Sequence, residues 1–253
     1  MAAIQNGDEF KTKQGYTVKV VDYKGAKEII VEFNDSTYTR LTVEGVQLKR
    51  GNLTNPYHPV VQGLGFMGIG PYVSKGEDKK FTREYGLWSG LMTRCYVEDG
   101  RYRNYKDCNV DPQWYNFQEF AEWCQWQSGY KQDGWQLDKD IASNGSKCYS
   151  PDTCIFVPRD INNLFRGSYN NDKKLPTGVF TSGKGFIVVG RFGAKTNQRF
   201  SGYATKELAY EKYSEERKKR AEGLLNTYGD MLDPRVIAKL RNFEVPNIGG
   251  VYE

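Results

Sequence analysis

The run Gln136-Leu-Asp-Lys-Asp-Ile141 and the run Cys154-Ile-Phe-Val-Pro-Arg-Asp-Ile-Asn-Asn-Leu-Phe165 stand on either side of a polar loop, Ala142 to Ser150, that contains Asn144-Gly145. The first run reads as a short strand ending in clustered charge. The second reads as a strand, Cys154-Ile-Phe-Val157, followed by a helix with Pro158 near its first turn, where a missing N–H leaves no hydrogen bond unmade. The local order is strand, loop, strand, helix. In that order a carboxylate at the end of the first strand and an amide oxygen on the first turn of the helix can converge on one hard cation, which takes oxygen ligands. The segment therefore has the makings of a magnesium site.

Upstream, Trp88, Leu91, Met92 and Cys95 are spaced i, i+3, i+4, i+7, as are Phe117, Phe120, Ala121 and Cys124, so each set makes one apolar stripe on a helix. Asn116 with Glu119 three residues on is a capping-box pattern for the second helix. The cysteines at 95 and 124 sit on these stripes as core thiols, and the five cysteines (95, 108, 124, 148, 154) include no Cys-x-x-Cys pair of the kind that holds zinc. Between Gly51 and Lys80 the chain is rich in Gly, Pro, Asn and charge, with Asn55-Pro-Tyr-His-Pro59 and Gly63-Leu-Gly-Phe-Met-Gly-Ile-Gly-Pro71 breaking any periodicity. It reads as a linker or extended arm. Gly63-x-Gly65 lacks the strand, the helix and the Gly-Lys-Ser/Thr of a phosphate loop. Before the arm, Tyr16–Tyr23, Glu28–Phe33 and Thr37–Val43 read as strands joined by turns at Lys24-Gly25 and Asn34-Asp35-Ser36, a small antiparallel sheet or SH3-like barrel.

Downstream, Ser168 to Lys174 is a polar linker. Leu175–Val179, Lys184–Arg191 and Gln198–Tyr203 then read as three short strands, and a helix starts at Thr205-Lys-Glu. That helix runs through Arg217-Lys-Lys-Arg220, whose four cations either grip phosphates or form a solvated helix surface. Asp233 to Phe243 reads as a short amphipathic helix that packs back on this segment.

The 253 residues carry a net charge of +5, unevenly spread: +3 up to Arg83, −4 from there to Pro158, and +6 beyond. Basic flanks suit a polyanion and an acidic centre suits a divalent cation, although ordinary solvated surface gives the same count. No stretch approaches the roughly 18 apolar residues of a membrane helix. The N-terminus lacks the basic flank and apolar stretch of a secretory signal, so a reducing cytoplasm and free thiols are expected.

Leu137-Asp-Lys-Asp followed by Tyr149-Ser-Pro-Asp-Thr-Cys-Ile-Phe-Val-Pro-Arg-Asp-Ile-Asn162 resembles the ββα-metal core of phage HNH homing endonucleases. The aromatic segments Trp88–Tyr96, Tyr105–Val110 and Trp114–Trp123 resemble the helical part that precedes this core. The resemblance implies that Asp138 and Asn162 hold the metal, Mg2+ or Mn2+. Lys139 stands where the family has its general-base histidine. A lysine, ordinarily near pKa 10.4, would need a depression of roughly three units to act as a base at neutral pH. Three alternatives stay open: Lys139 or the cation generates the nucleophile, Asp140 activates the water, or the site binds without cutting. The sole histidine, His58, lies in the arm some eighty residues earlier.

The three strands and helix after Leu175 resemble the APETALA-type DNA-binding domain. That likeness implies DNA contacts from Lys184, Arg191, Lys195 and Arg199, extended by Arg217, Lys218, Lys219 and Arg220. The expectation is an α+β, multi-domain chain: a small SH3-like β-barrel (1–50), an arm (51–83), an HNH-like ββα-metal core with preceding helices (84–167) and an APETALA-like domain (168–253). Its implied activity is metal-dependent hydrolysis of double-stranded DNA by a monomeric phage protein in the host cytoplasm. The alternative is a catalytically silent DNA-binding regulator. A protein partner for the N-terminal β domain is a further expectation.

Overall fold

Alternation of Val18 and Val20 with polar neighbours, and of Ile29, Val31 and Phe33, puts one apolar face on each of two long N-terminal strands. In the computed structural model, which describes residues 3–143, 145–166, 175–193 and 197–245, these become β2 (Thr17–Gly25) and β3 (Glu28–Phe33), flanked by β1 (Glu9–Lys11) and β4 (Arg40–Val43). The sheet is an antiparallel meander in the order β1-β2-β3-β4, so β1 and β4 are its edges and the described strands leave the expected barrel open. Val18 faces Phe33 and Val20 faces Val31 in register, and the apolar face closes on Val43, Leu48 and Leu53. Leu48 comes from a short helix, α1 (Gly45–Lys49), absent from the sequence reading. The third strand starts three residues later than expected. Asp35 Oδ1 accepts the Thr37 amide at 2.9 Å and its hydroxyl at 2.6 Å, which holds the turn open to Thr39.

The chain divides into two compact units, Met1–Glu122 and Trp123–Glu253. The first unit also contains α2 (Arg83–Tyr96), β5 (Asn109–Val110) and the beginning of α3 (Phe117–Trp126). Trp88, Leu91 and Met92 of α2 and Phe117 and Phe120 of α3 are fully buried, as their spacing requires. Trp88 Nε1 donates to the Trp114 carbonyl at 2.7 Å. Asn116 Oδ1 caps α3 by accepting the Gln118 amide at 3.1 Å.

The arm is not a linker. Gly51, at φ +65, closes against the sheet so tightly that a Cβ there would lie 2.8 Å from the Lys11 carbonyl oxygen. Further on, the Gln118 amide accepts the Tyr72 N–H and donates to the Met67 and Tyr72 carbonyls, each at 3.0 Å. Phe66 pairs with the backbone on both sides of Asn116. The arm's backbone groups are thus satisfied by one side chain and by bridges instead of by a regular element, which is why no periodicity announces them.

The second unit opens with β6 (Trp135–Asp138), β7 (Cys148–Tyr149) and β8 (Ile155–Pro158), then α4 (Arg159–Phe165). Strands β6 and β8 pair antiparallel, with Trp135 opposite Pro158 and Asp138 opposite Ile155. Ile161 and Leu164 of α4 are buried where the helix packs on both strands. This is the expected strand, loop, strand, helix order. Next come β9 (Val179–Ser182), β10 (Gly185–Gly190) and β11 (Gln198–Tyr203), an antiparallel sheet in the order β11-β10-β9. Helix α5 (Lys206–Tyr228) crosses it, joining Ala209 and Tyr213 to Val179 and Val188 in one core. Helix α6 (Pro234–Arg241) packs back on α5, burying Val236 and Leu240. The chain is α+β throughout. Among the described residues no helix is long and apolar enough to cross a membrane. None of the five cysteines is in a disulfide.

Candidate metal centre and nucleic-acid contacts

Asp138 ends β6, and its Oδ1 accepts the amides of Asp140 and Ile141 at 2.8 and 2.9 Å. That double acceptance turns the chain out of the strand immediately after the carboxylate. The carboxyl is largely desolvated, and burial raises its pKa above the ordinary 3.8. Asn162, on α4, is 5 % exposed, and its Nδ2 donates to Gln136 Oε1 at 3.0 Å. Gln136 and Asp138 are two residues apart on β6, hence on the same face. Gln136 therefore ties the helix amide to the strand face that carries the carboxylate. With Nδ2 committed to Gln136, Asn162 keeps Oδ1 uncommitted to that bond, and Asp138 keeps Oδ2 beside the Oδ1 that accepts the two amides. Two oxygens of this chemistry fit a hard divalent cation that keeps several waters. Among the described residues no group of three His, Cys, Asp or Glu side chains could hold a metal. Gln136 is exposed on the strand and carries no pattern in the sequence that marks it.

Lys139 goes the other way. Its side chain is 5 % exposed, its ammonium is paired with the Asp140 carboxylate and donates to the Ser146 carbonyl at 3.4 Å, and it lies 5.5 Å above the Tyr149 ring. These contacts tie the ammonium to its own loop. Asp140 is 73 % exposed. His58 is far from this chemistry in sequence and accepts or donates a 3.0 Å hydrogen bond with the Tyr16 hydroxyl inside the first unit. Cys154 is buried, and burial pushes its thiol up to about 12, the behaviour of a core cysteine.

The expected DNA-contacting residues fall into separate groups. Lys184 is exposed in the β9–β10 turn, and Arg191 is exposed just beyond β10. Arg199 pairs in register with Val189, on the sheet face away from α5, and donates to Ser182 Oγ at 3.4 Å. Lys195, the linker Ser168–Lys174 and Asn144 lie outside the described residues. The basic run on α5 does not act as one patch. Tyr213, Arg217, Ala221 and Leu224 form the buried stripe of the helix, so Arg217 is 8 % exposed and donates to the Leu164 carbonyl. Lys219 is held by Glu215 and Glu216 along the helix. Arg220 pairs with Asp160 at 2.8 Å, and Lys218 is exposed.

No protein-family model, curated protein or solved structure matches this chain.

Proposed function

We propose that this protein binds double-stranded DNA and hydrolyses its phosphodiester bonds with a divalent cation, as an HNH-type endonuclease carrying an APETALA-like DNA-binding segment. The observation that supports the reading best is the ββα order with Asp138 and Asn162 joined through Gln136 on one strand face. A bound Mg2+ or Mn2+ would offset charge on the scissile phosphate and on the departing oxygen. Asp138 and Asn162 would hold the cation, and Lys184, Arg191 and Arg199 orient the duplex through its phosphates and guanine edges. In hydrolysis a water oxygen bonds to phosphorus, the P–O bond to the departing sugar breaks, and the water's proton passes to a base. Asp140, whose carboxylate is exposed beside Asp138, takes that proton in this reading. One metal centre per chain makes a monomer that nicks the simplest form, acting in the host cytoplasm as a phage-encoded enzyme. The N-terminal sheet is the surface for a protein partner.

The burial of Lys139 in an ion pair favours a second reading, a silent descendant that occupies DNA without cutting it. Supercoiled plasmid or phage DNA incubated with Mg2+, Mn2+ or chelator separates the two. Relaxed or linear product that needs the cation and is lost by at least about a hundredfold in Asp138→Ala and Asn162→Ala supports the enzyme. DNA that is shifted in a gel but stays intact under every cation supports the silent form.

A further inference from the structure

A cavity of about 650 Å³ opens in the second unit where α4, the end of the β9–β11 sheet and α5 meet. Four arginines from three segments line it, Arg159, Arg191, Arg217 and Arg220, with the amides of Asn163 and Asn197 beside them. Among the described lining residues Asp160 is the one carboxylate. The wall is set by Gly178, at φ +76, where a Cβ would lie 2.1 Å from the Tyr213 ring. Only glycine permits that approach.

The protein balances the charges in this wall only in part: Arg220 meets Asp160 and Arg217 donates to the Leu164 carbonyl. Arg217 is buried, its guanidinium lies 5.9 and 5.8 Å from the Tyr213 and Phe243 ring centres, and its Nε has no hydrogen-bond partner. Among the described residues no carboxylate forms an ion pair with it. Arg159 and Arg191 are exposed on the rim. Arg220 has a partner in Asp160, but the two side chains are 25 % and 54 % exposed, and an ion pair so open to water is weak. A desolvated arginine with an orphan N–H, beside three more arginines, is the environment an anion relieves.

We infer that this cavity binds the phosphate backbone of a DNA strand, with Arg159, Arg191, Arg217 and Arg220 as its cations and Asp160 as a carboxylate that the backbone displaces from Arg220. The inference rests on the DNA-binding reading above and deepens it by adding Arg159, Asn163 and Asp160 to the cations that the APETALA-type likeness implies. The volume falls within the roughly 300–1,000 Å³ of pockets that enclose drug-sized ligands, room for a phosphodiester and its sugars. A free nucleotide has the same phosphate chemistry. The strand is the better occupant because exposed Arg191 directly follows β10, and Arg199 is exposed on the paired strand β11, so the cations extend past the cavity.

The test uses the full chain, a fluorescein-labelled duplex, chelator to prevent cutting, and anisotropy across a salt series. Arg159→Ala/Arg220→Ala is expected to weaken binding about tenfold and to flatten the log K against log salt slope by one to two. Asp160→Asn is expected to tighten it severalfold, a gain that misfolding cannot produce. Millimolar adenosine monophosphate is expected to leave the wild-type complex intact. A folded double variant that binds with wild-type affinity and slope, an Asp160→Asn variant that fails to tighten, or displacement by the mononucleotide overturns the groove while DNA binding stands. A wild-type chain that binds no DNA overturns both.

Discussion

Lys139 is buried and its partner Asp140 is not, so the two halves of this ion pair should respond differently to removal. Taking away the carboxylate strips a desolvated ammonium of a counter-charge, which costs about 1–3 kcal/mol. Replacing the ammonium by Met keeps the stem volume and leaves a carboxylate that water can solvate, at a cost under about 1.5 kcal/mol. Asp140→Ala, a change at an exposed residue, should therefore lower the urea midpoint more than Lys139→Met, a change at a buried one. The reverse order would show that packing of the stem, not the ammonium's compensation, dominates. The sequence marked Lys139 as the departure from a metal-nuclease pattern but could not say that it is buried, because its surroundings come from Ser146 and Tyr149 across the loop. The strand that carries Asp138 and the helix that carries Asn162 were legible from order alone. Gln136, the residue that joins them, was not singled out because an exposed polar side chain on a strand has no signature of its own.

Helix ends were among the most readable features. Asp233-Pro234 announces the start of α6, and in the structure Asp233 Oδ1 accepts the Arg235 amide at 2.8 Å while the Arg235 guanidinium bonds both carboxylate oxygens. The hydrogen bond from Arg235 is the main cause that holds the Asp233 carboxyl below the ordinary 3.8. A folded-state pKa that is lowered contributes stability above 3.8 and loses it as pH falls through the folded value. Asp233→Ala should thus cost about 0.5–2 kcal/mol at neutral pH, and the gap in melting temperature between it and wild type should close under acid conditions. A gap that stays constant with pH would assign the loss to packing. The arm was the element least legible. Its folding depends on Gln118, more than forty residues away in sequence, and no local pattern encodes a partner at that distance.

A net charge of +5 with a basic C-terminal third sets how the whole chain should meet a polyanion. Affinity for an arbitrary duplex, measured by filter binding, should fall linearly on a log scale with salt, with a slope of about 2 to 4 if three or four arginines meet phosphates. A preference for one sequence that survives added salt would locate base reading on the exposed sheet face, and salt-independent binding would remove the phosphate mechanism. By itself the sequence determined the α+β class, the strand-loop-strand-helix order, the second and third strands and the helix of the segment that follows, and the apolar stripes of α2 and α3, because these depend on periodicity and on turn and cap residues close together in the chain. Only the tertiary structure decided that the arm is folded, that Lys139 and Arg217 are buried, and that Arg159, Arg191 and Arg220 share one cavity. The physical reason is that burial and charge compensation are set by groups brought together from distant segments, and a cation reads the same in sequence whether it faces water, a carboxylate or a carbonyl.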